Sequence, residues 1–574
     1  MDPGQHPLRA SGNSVSWPAS STRSDQGDET MFMQKGNVSP RSMALPIAVV
    51  ILSACAGNGS TPDQSAAPLD NHVTTASGSL VGNAADASGI VSFKGIPYAA
   101  APVGNLRWKE PQPAQKWTGA RDATTFGAKC WAAAAFGGPI STDGVIEDCL
   151  FLNIWSGAKT RGAKLPVMVW LHGGGFQFGT GSDDSLDGTS LAKKNVVMVT
   201  INYRLGVFGH LSRPDLDAES NGHKSGMYGI EDQIAALKWV KDNIASFGGD
   251  PANVTVFGES AGSHAIGLLM ASPLATGLFQ KAIGESGAFW ESEHGEMKPY
   301  ADAQAMGTAL GTQMNAPTLA QLRAVPALTL ETATNWTFAT DPGLTNFSPI
   351  VDGYVLPENP YIRFLNGRQN DVPLLAGWNS DEGLAFFNRA LPHTTIQSYT
   401  SAAATEFGPS NVTAFEQAYP ASSIGQATQS AQALIGDQVI KYQTWGWVTQ
   451  QQKTGHSAVF VYHFEQTSAY NPVATHATEV PYVFGNLTPN GNVTASAQDL
   501  AVSDTMQSYW TNFARSGNPN GAGLPQWPQY TGAGSQTMRI GNVIQPGPEE
   551  GTERFQFLDK FRAKGLISVS QPPL

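Results

Sequence analysis

Residues 247–270 read FGGDPANVTVFGESAGSHAIGLLM, and the order of residue types in this stretch decides the fold. Asn253 to Phe257 is apolar and β-branched, as a buried strand should be. It runs directly into Gly258-Glu259-Ser260-Ala261-Gly262. From Ala261 to Met270 the pattern is helical. A strand that breaks straight into a helix must turn sharply, and Ser260 lies at that turn. There the backbone is strained and the hydroxyl meets a helix N-terminus, whose dipole favours developing negative charge. Gly258 and Gly262 leave room for neighbouring segments. Taken alone, G-x-S-x-G arises by chance, and a serine in this place also fits a simple helix N-cap. The strand-turn-helix frame makes Ser260 a candidate nucleophile.

Moving outward, further strand-like runs appear. They are 165–171 (LPVMVWL), 196–201 (VVMVTI), Ala282-Ile283, 373–377 and 458–464. Between them, 230–244 places Ile234, Leu237, Val240 and Ile244 at helix spacing. Strands alternating with helices predict an α/β fold with a mostly parallel sheet covered on both faces. Such a sheet carries its reactive loops at the carboxyl ends of its strands. The Ala-, Gln- and Thr-rich stretch from about 300 to 450 reads as helical insertions capping the sheet.

The rest of an acyl-transfer site is sought in these loops. His172-Gly173-Gly174-Gly175-Phe176 follows the strand at 165–171, and HGGG is the oxyanion-loop form of lipases and esterases. Backbone N–H donors are expected from Gly174, Gly175 and Ala261, with His172 propping the loop. A serine is a poor nucleophile at neutral pH and needs a base. In this fold the order along the chain is serine, acid, histidine. Asp381 and Glu382 follow a strand directly, and spacing does not choose between them. Of the later histidines, His463 lies inside a strand and His456 precedes it. His476, in the loop beyond that strand, is the expected base. Activity should then fall as His476 protonates, at about pH 6 to 7 by the ordinary histidine value. No cofactor or metal is expected.

The chain has 574 residues, 41% hydrophobic and 14% charged, with a net charge of −12. This is a large globular core without clustered Lys and Arg, so a nucleic-acid partner is excluded. Residues 43–52 (MALPIAVVIL) are too short to span a bilayer and have the length of a signal-peptide core, with Lys35 and Arg41 before it. Leu52-Ser53-Ala54-Cys55 resembles the bacterial lipobox, so Cys55 is expected to carry lipid; the alternative is an ordinary cleaved signal with a chance cysteine. Ala56 follows, rather than the Asp that often retains such lipoproteins at the inner membrane. The expected organisation is 1–54 as upstream segment and signal, with the true start at Met31 or Met33. Residues 55–70 are then a flexible tether and 71–574 one α/β domain. The expected location is the bacterial cell envelope (outer membrane) or the periplasm or medium.

Several further segments, in the same order, resemble the type-B carboxylesterases, the family that also contains cholinesterases and neuroligins. They are FKGIPYAAAPVGNLRWKEPQP (93–113), EDCLFLNI (147–154), NYRLGVFG (202–209), the serine stretch and WTNFARSGNPN (510–520). The likeness is to the bacterial para-nitrobenzyl esterases and covers about residues 75–560. It implies an α/β-hydrolase fold and a carboxylic ester hydrolase using Ser260, Glu382 and His476. It selects Glu382 through DEG (381–383) and supports His476 through the acidic residue and VFG that follow, here Glu479 and 483–485. It also implies a Cys130–Cys149 disulfide, a supporting Ser286 behind the acid, and Glu259 as the acidic neighbour of the nucleophile. Cys55 is then the odd cysteine. Trp131 adjoins the first cysteine of a short loop, whereas cholinesterases place a choline-binding tryptophan well inside a longer one, so cholinesterase activity is not expected. Met227 stands where the family usually has Asn.

The expected partner is a small-molecule ester, and the expected state a monomer, tethered through Cys55 where that residue is lipidated. The competing class is a non-catalytic adhesion module, whose members lose triad residues. Within hydrolases, a lipase, an amidase or a thioesterase stays open. Trp290 is a guess at an acyl-pocket residue.

Overall fold

Every strand-like run identified between residues 165 and 464 lies in a strand of one ten-stranded sheet. The computed structural model describes residues 67–134, 139–220, 224–289, 297–335, 347–489 and 491–567, without the side chains of 562–567. Cys55, Met31, Met33, the signal-like run and Trp290 lie outside the described residues. A small sheet comprises β1 (His72–Thr75), β2 (Gly78–Val81) and β4 (Ala120–Asp122). The large sheet comprises β3 (Val91–Pro97), β5 (Phe151–Ser156), β6 (Leu165–Leu171), β7 (Val197–Ile201) and β8 (Gly249–Glu259). It continues with β9 (Lys281–Glu285), β10 (Leu374–Asn379), β11 (Val459–Phe464), β12 (Gln536–Ile540) and β13 (Ile544–Pro548). Across the sheet the order is β13-β12-β11-β10-β9-β8-β6-β7-β5-β3. From β7 to β12 the pairing is parallel. Antiparallel strands close both edges.

Alternation along a buried strand sends neighbouring residues to opposite faces. In β6, Val167, Val169 and Leu171 enter one apolar cluster, with Ile234 and Leu237 of the helix Tyr228–Asn243 and Ile266 and Leu269 of the helix Ala261–Ala271. Met168 and Trp170 enter the other, with Val502, Met506, Trp510 and Phe513 of the helix Ala497–Ser516. Helices therefore cover both faces, as expected.

Two expectations are refined. The strand before the nucleophile is eleven residues long, not five, and it continues to Glu259. The stretch from 300 to 450 is largely helical, but β10 runs through it and carries the acid loop. Met227 is buried just before the helix Tyr228–Asn243, where its sulfur accepts the Ile350 N–H at 3.2 Å.

Candidate active site

The turn at Ser260 carries the strain its motif requires. Ser260 has φ 52° and ψ −120°, a region that side-chain-bearing residues avoid unless their surroundings enforce it. Its N–H donates to the Glu285 carbonyl at 2.8 Å, and its carbonyl accepts the His264 N–H at 2.9 Å. The turn is thus pinned between β9 and the first turn of the helix Ala261–Ala271.

The glycine loop lies directly on this turn. A Cβ on Gly173 would stand 3.1 Å from the Ser260 Cβ and 2.5 Å from Glu259 Oε2. Only a residue without a side chain lets the loop come this close. Among the described residues, the backbone N–H groups of Gly174, Gly175 and Ala261 have no protein acceptor. Beneath the loop, His172 Nδ1 is 2.9 Å from the Gly173 carbonyl, and its ring stacks on Tyr203 at 4.3 Å. Burial lowers the His172 pKa to about 4. The neutral ring packs beneath the loop.

His476 and Glu382 meet across loops that follow β11 and β10. His476 Nδ1 is 2.6 Å from Glu382 Oε2. Asp381, the alternative acid, accepts the Ser380 hydroxyl at 2.6 Å instead. Glu382 is fully buried, and its other oxygen accepts the Ser286 hydroxyl at 2.6 Å and the Asn379 N–H at 2.9 Å. Ser286 thus stands behind Glu382. The helix Ile424–Gly436 packs on the turn Glu382–Leu384 and holds it from outside. The competing histidines are elsewhere: His463 is buried 3.1 Å from Glu550, and His456 is exposed.

His476 Nε2 faces Glu259, whose Oε1 is 3.2 Å away. Among the described residues, the Ser260 hydroxyl makes no hydrogen bond to His476. Such bonds are often long before substrate binds. Two further carboxylates complete the surroundings. Glu479 accepts the Asn379 side-chain amide, and Glu285 accepts the Trp510 indole N–H at 2.8 Å. Three buried carboxylates, Glu259, Glu382 and Glu479, therefore act on one imidazole, and Glu285 lies behind them. Sequence reasoning noted Glu479 only as part of a pattern and missed Glu285 and Asn379, which no local signal marks. Burial raises the pKa of Glu259, Glu285 and Glu479. Burial also opposes charge on Glu382, but His476 and the hydrogen bonds from Ser286 and Asn379 overcome it and hold this carboxyl below its usual value. For His476, burial is outweighed by Glu259 and Glu382, and the pKa rises. These carboxylates favour an inflection above the pH 6 to 7 read from the sequence. No group of three His, Cys, Asp or Glu among the described residues could hold a metal ion.

Cys130 and Cys149 form a disulfide, with sulfurs 2.02 Å apart. Trp131, next to it, lines a small surface pocket with Trp108, Arg107, Glu147, Arg204 and Phe208.

Comparison with known proteins bears on this geometry. The family model described as the carboxylesterase family matches residues 69–557. Fumonisin B1 esterase of Sphingopyxis macrogoltabida is 36% identical over 494 residues, 82% of this chain and 87% of that protein. Para-nitrobenzyl esterase of Bacillus subtilis (strain 168) is 36% identical over 512 residues, 86% of this chain and 99% of that protein. A solved PNB esterase superposes with a TM-score of 0.71 at 33% identity, covering 85% of this chain and all of that one (100%).

Proposed function

This chain belongs to the carboxylesterase family, with the α/β-hydrolase fold and ester hydrolysis that go with it, and we propose that it works through Ser260, His476 and Glu382 by way of an acyl-enzyme. The Ser260 Oγ attacks the ester carbonyl carbon while His476 Nε2 takes its proton. The oxyanion is held by the N–H groups of Gly174, Gly175 and Ala261, each such donor contributing about 3 to 4 kcal/mol in comparable sites. The intermediate collapses, the alcohol leaves with the proton from His476, and the acyl group stays on Ser260. Water, deprotonated by the same histidine, then releases the acid. Glu382 keeps Nδ1 protonated and balances the imidazolium, while Ser286 positions Glu382.

The observation that carries this reading is the 2.6 Å contact of Glu382 with His476 Nδ1, which leaves Nε2 turned to the strand end that bears Ser260. Ser260→Ala should abolish turnover of 4-nitrophenyl esters with the melting temperature unchanged. An organophosphate should label wild type and not this variant. Near-wild-type hydrolysis by Ser260→Ala would overturn the assignment.

The substrates proposed are small-molecule esters, in keeping with the fumonisin B1 esterase and para-nitrobenzyl esterase that the chain resembles. Export to the cell envelope with a lipid on Cys55 is proposed as well. It is supported by the apolar run at 43–52 and by a disulfide that suits an oxidising compartment. Metabolic fatty-acid labelling should mark wild type and not Cys55→Ala. An unmodified Cys55 thiol on a chain that keeps residue 1 would overturn both parts.

A further inference from the structure

His264 lies one helical turn beyond the nucleophile and plays no part in the reaction just described. Its Nδ1 is 2.7 Å from the backbone carbonyl of Ser260 itself. A carbonyl oxygen can only accept, so Nδ1 carries the proton and Nε2 is left with a bare lone pair. Among the described residues, Nε2 has no hydrogen-bond partner. Nor is it one of the sealed polar atoms of the core, and the side chain is only half-buried. Burial holds the pKa of this ring down at about 4, and the charge of His476 lowers it further. The ring is therefore neutral wherever the enzyme works, and Nε2 is an acceptor only.

The surroundings place this acceptor on one side of the reacting centre. The His264 ring meets Phe289 edge-on at 4.7 Å, and Phe289 stacks at 5.8 Å on Phe176, which ends the glycine loop. Gly287 makes the space: a Cβ there would lie 2.4 Å from His264 Nδ1 and 3.0 Å from the Ser260 carbonyl. The departing alcohol has to touch His476, which protonates it, and the ring beside His476 is Phe386 at 5.2 Å. On another flank of Ser260, Phe176, Phe289 and His264 pack together. Of these three side chains only His264 carries polar atoms, and its Nδ1 is already bonded.

We propose that His264 is a specificity residue that accepts a hydrogen bond from a hydroxyl or amine N–H on the acyl chain, favouring hydroxyacyl and aminoacyl esters over their unsubstituted counterparts. The inference rests on Ser260 being the nucleophile. An acceptor that the bound acyl group covers discriminates, because a substrate lacking the donor strips it of water and leaves it unpaired.

The test compares kcat/KM for 4-nitrophenyl 3-hydroxybutyrate against the butyrate, and for the 2-hydroxypropionate against the propionate. Each ratio is divided by the same ratio for hydroxide-catalysed hydrolysis, which removes intrinsic reactivity. In wild type, at least one corrected ratio should exceed unity by about fivefold, the effect of one net hydrogen bond. His264→Phe should bring it to about one, and His264→Gln, which keeps an acceptor, should restore part of it. Organophosphate labelling of Ser260 should be retained in both variants. Absence of labelling in wild type would sink the nucleophile assignment, and this inference with it. Corrected ratios near unity in a wild type that labels normally would overturn the inference, without need of any variant. So would a preference that survives His264→Phe, or one seen only when the hydroxyl is on the alcohol side.

Discussion

A histidine that must be neutral to act as a base sits here against Glu259 and Glu382, with Glu479 close behind. The sign of the consequence is fixed. Carboxylates favour the protonated imidazole, so its pKa is raised, and a base with a raised pKa becomes competent only at higher pH. The acid limb of kcat/KM should therefore lie above pH 6.5, the unperturbed value. Glu259→Gln removes one carboxylate at 3.2 Å from Nε2, so the limb should move to lower pH. A pH–rate profile of the two proteins checks this; an unmoved limb would show that Glu259 is not ionised when His476 titrates. Ser286→Ala deletes a 2.6 Å hydrogen bond to the buried Glu382. A bond to a charged group contributes about 1.5 to 3 kcal/mol. We expect kcat to fall about tenfold or more with KM nearly unchanged, measured on one 4-nitrophenyl ester.

At the scale of elements, the site is a set of strand ends. β6 delivers the glycine loop, β8 the serine, β10 the acid and β11 the histidine. Parallel pairing aligns their carboxyl ends, so residues from four distant segments meet without any long reach. The fit of loop to turn is tight at Gly173, where a Cβ would stand 2.5 Å from Glu259 Oε2. Gly173→Ala should lift the loop and its N–H donors away from the oxyanion position. The expected loss in kcat is about 10² to 10³, the effect of removing one such donor, with the melting temperature nearly unchanged. Steady-state kinetics beside a thermal melt would separate this from misfolding. The helix Ile424–Gly436 has a second task at this scale, because it packs on the turn that holds Glu382.

For the whole molecule, stability has one covalent contribution that can be removed. Cys130 and Cys149 are 19 positions apart, and loop entropy puts such a cross-link at about 3 kcal/mol. The double variant Cys130→Ser, Cys149→Ser should unfold at lower urea concentration by that amount while keeping its esterase activity at 25 °C. The local order of the chain was legible without coordinates. The strand into Ser260, the helix after it and the glycine loop are written in contiguous residues, because period, β-branching and turn chemistry act over a few positions. The choice of Glu382 over Asp381 came from likeness to a family and not from spacing, since adjacent carboxylates look alike until one is seen to face the imidazole. The extra carboxylates Glu285 and Glu479, the Asn379 clamp and the bare nitrogen of His264 had no local signature. Their environments are made by segments far apart in the chain, and burial and proximity are properties of the packed sheet. The sequence by itself determined which residues could do chemistry and in what order they occur. Only the tertiary structure decided which of them touch, which are stripped of water and which proton each must hold.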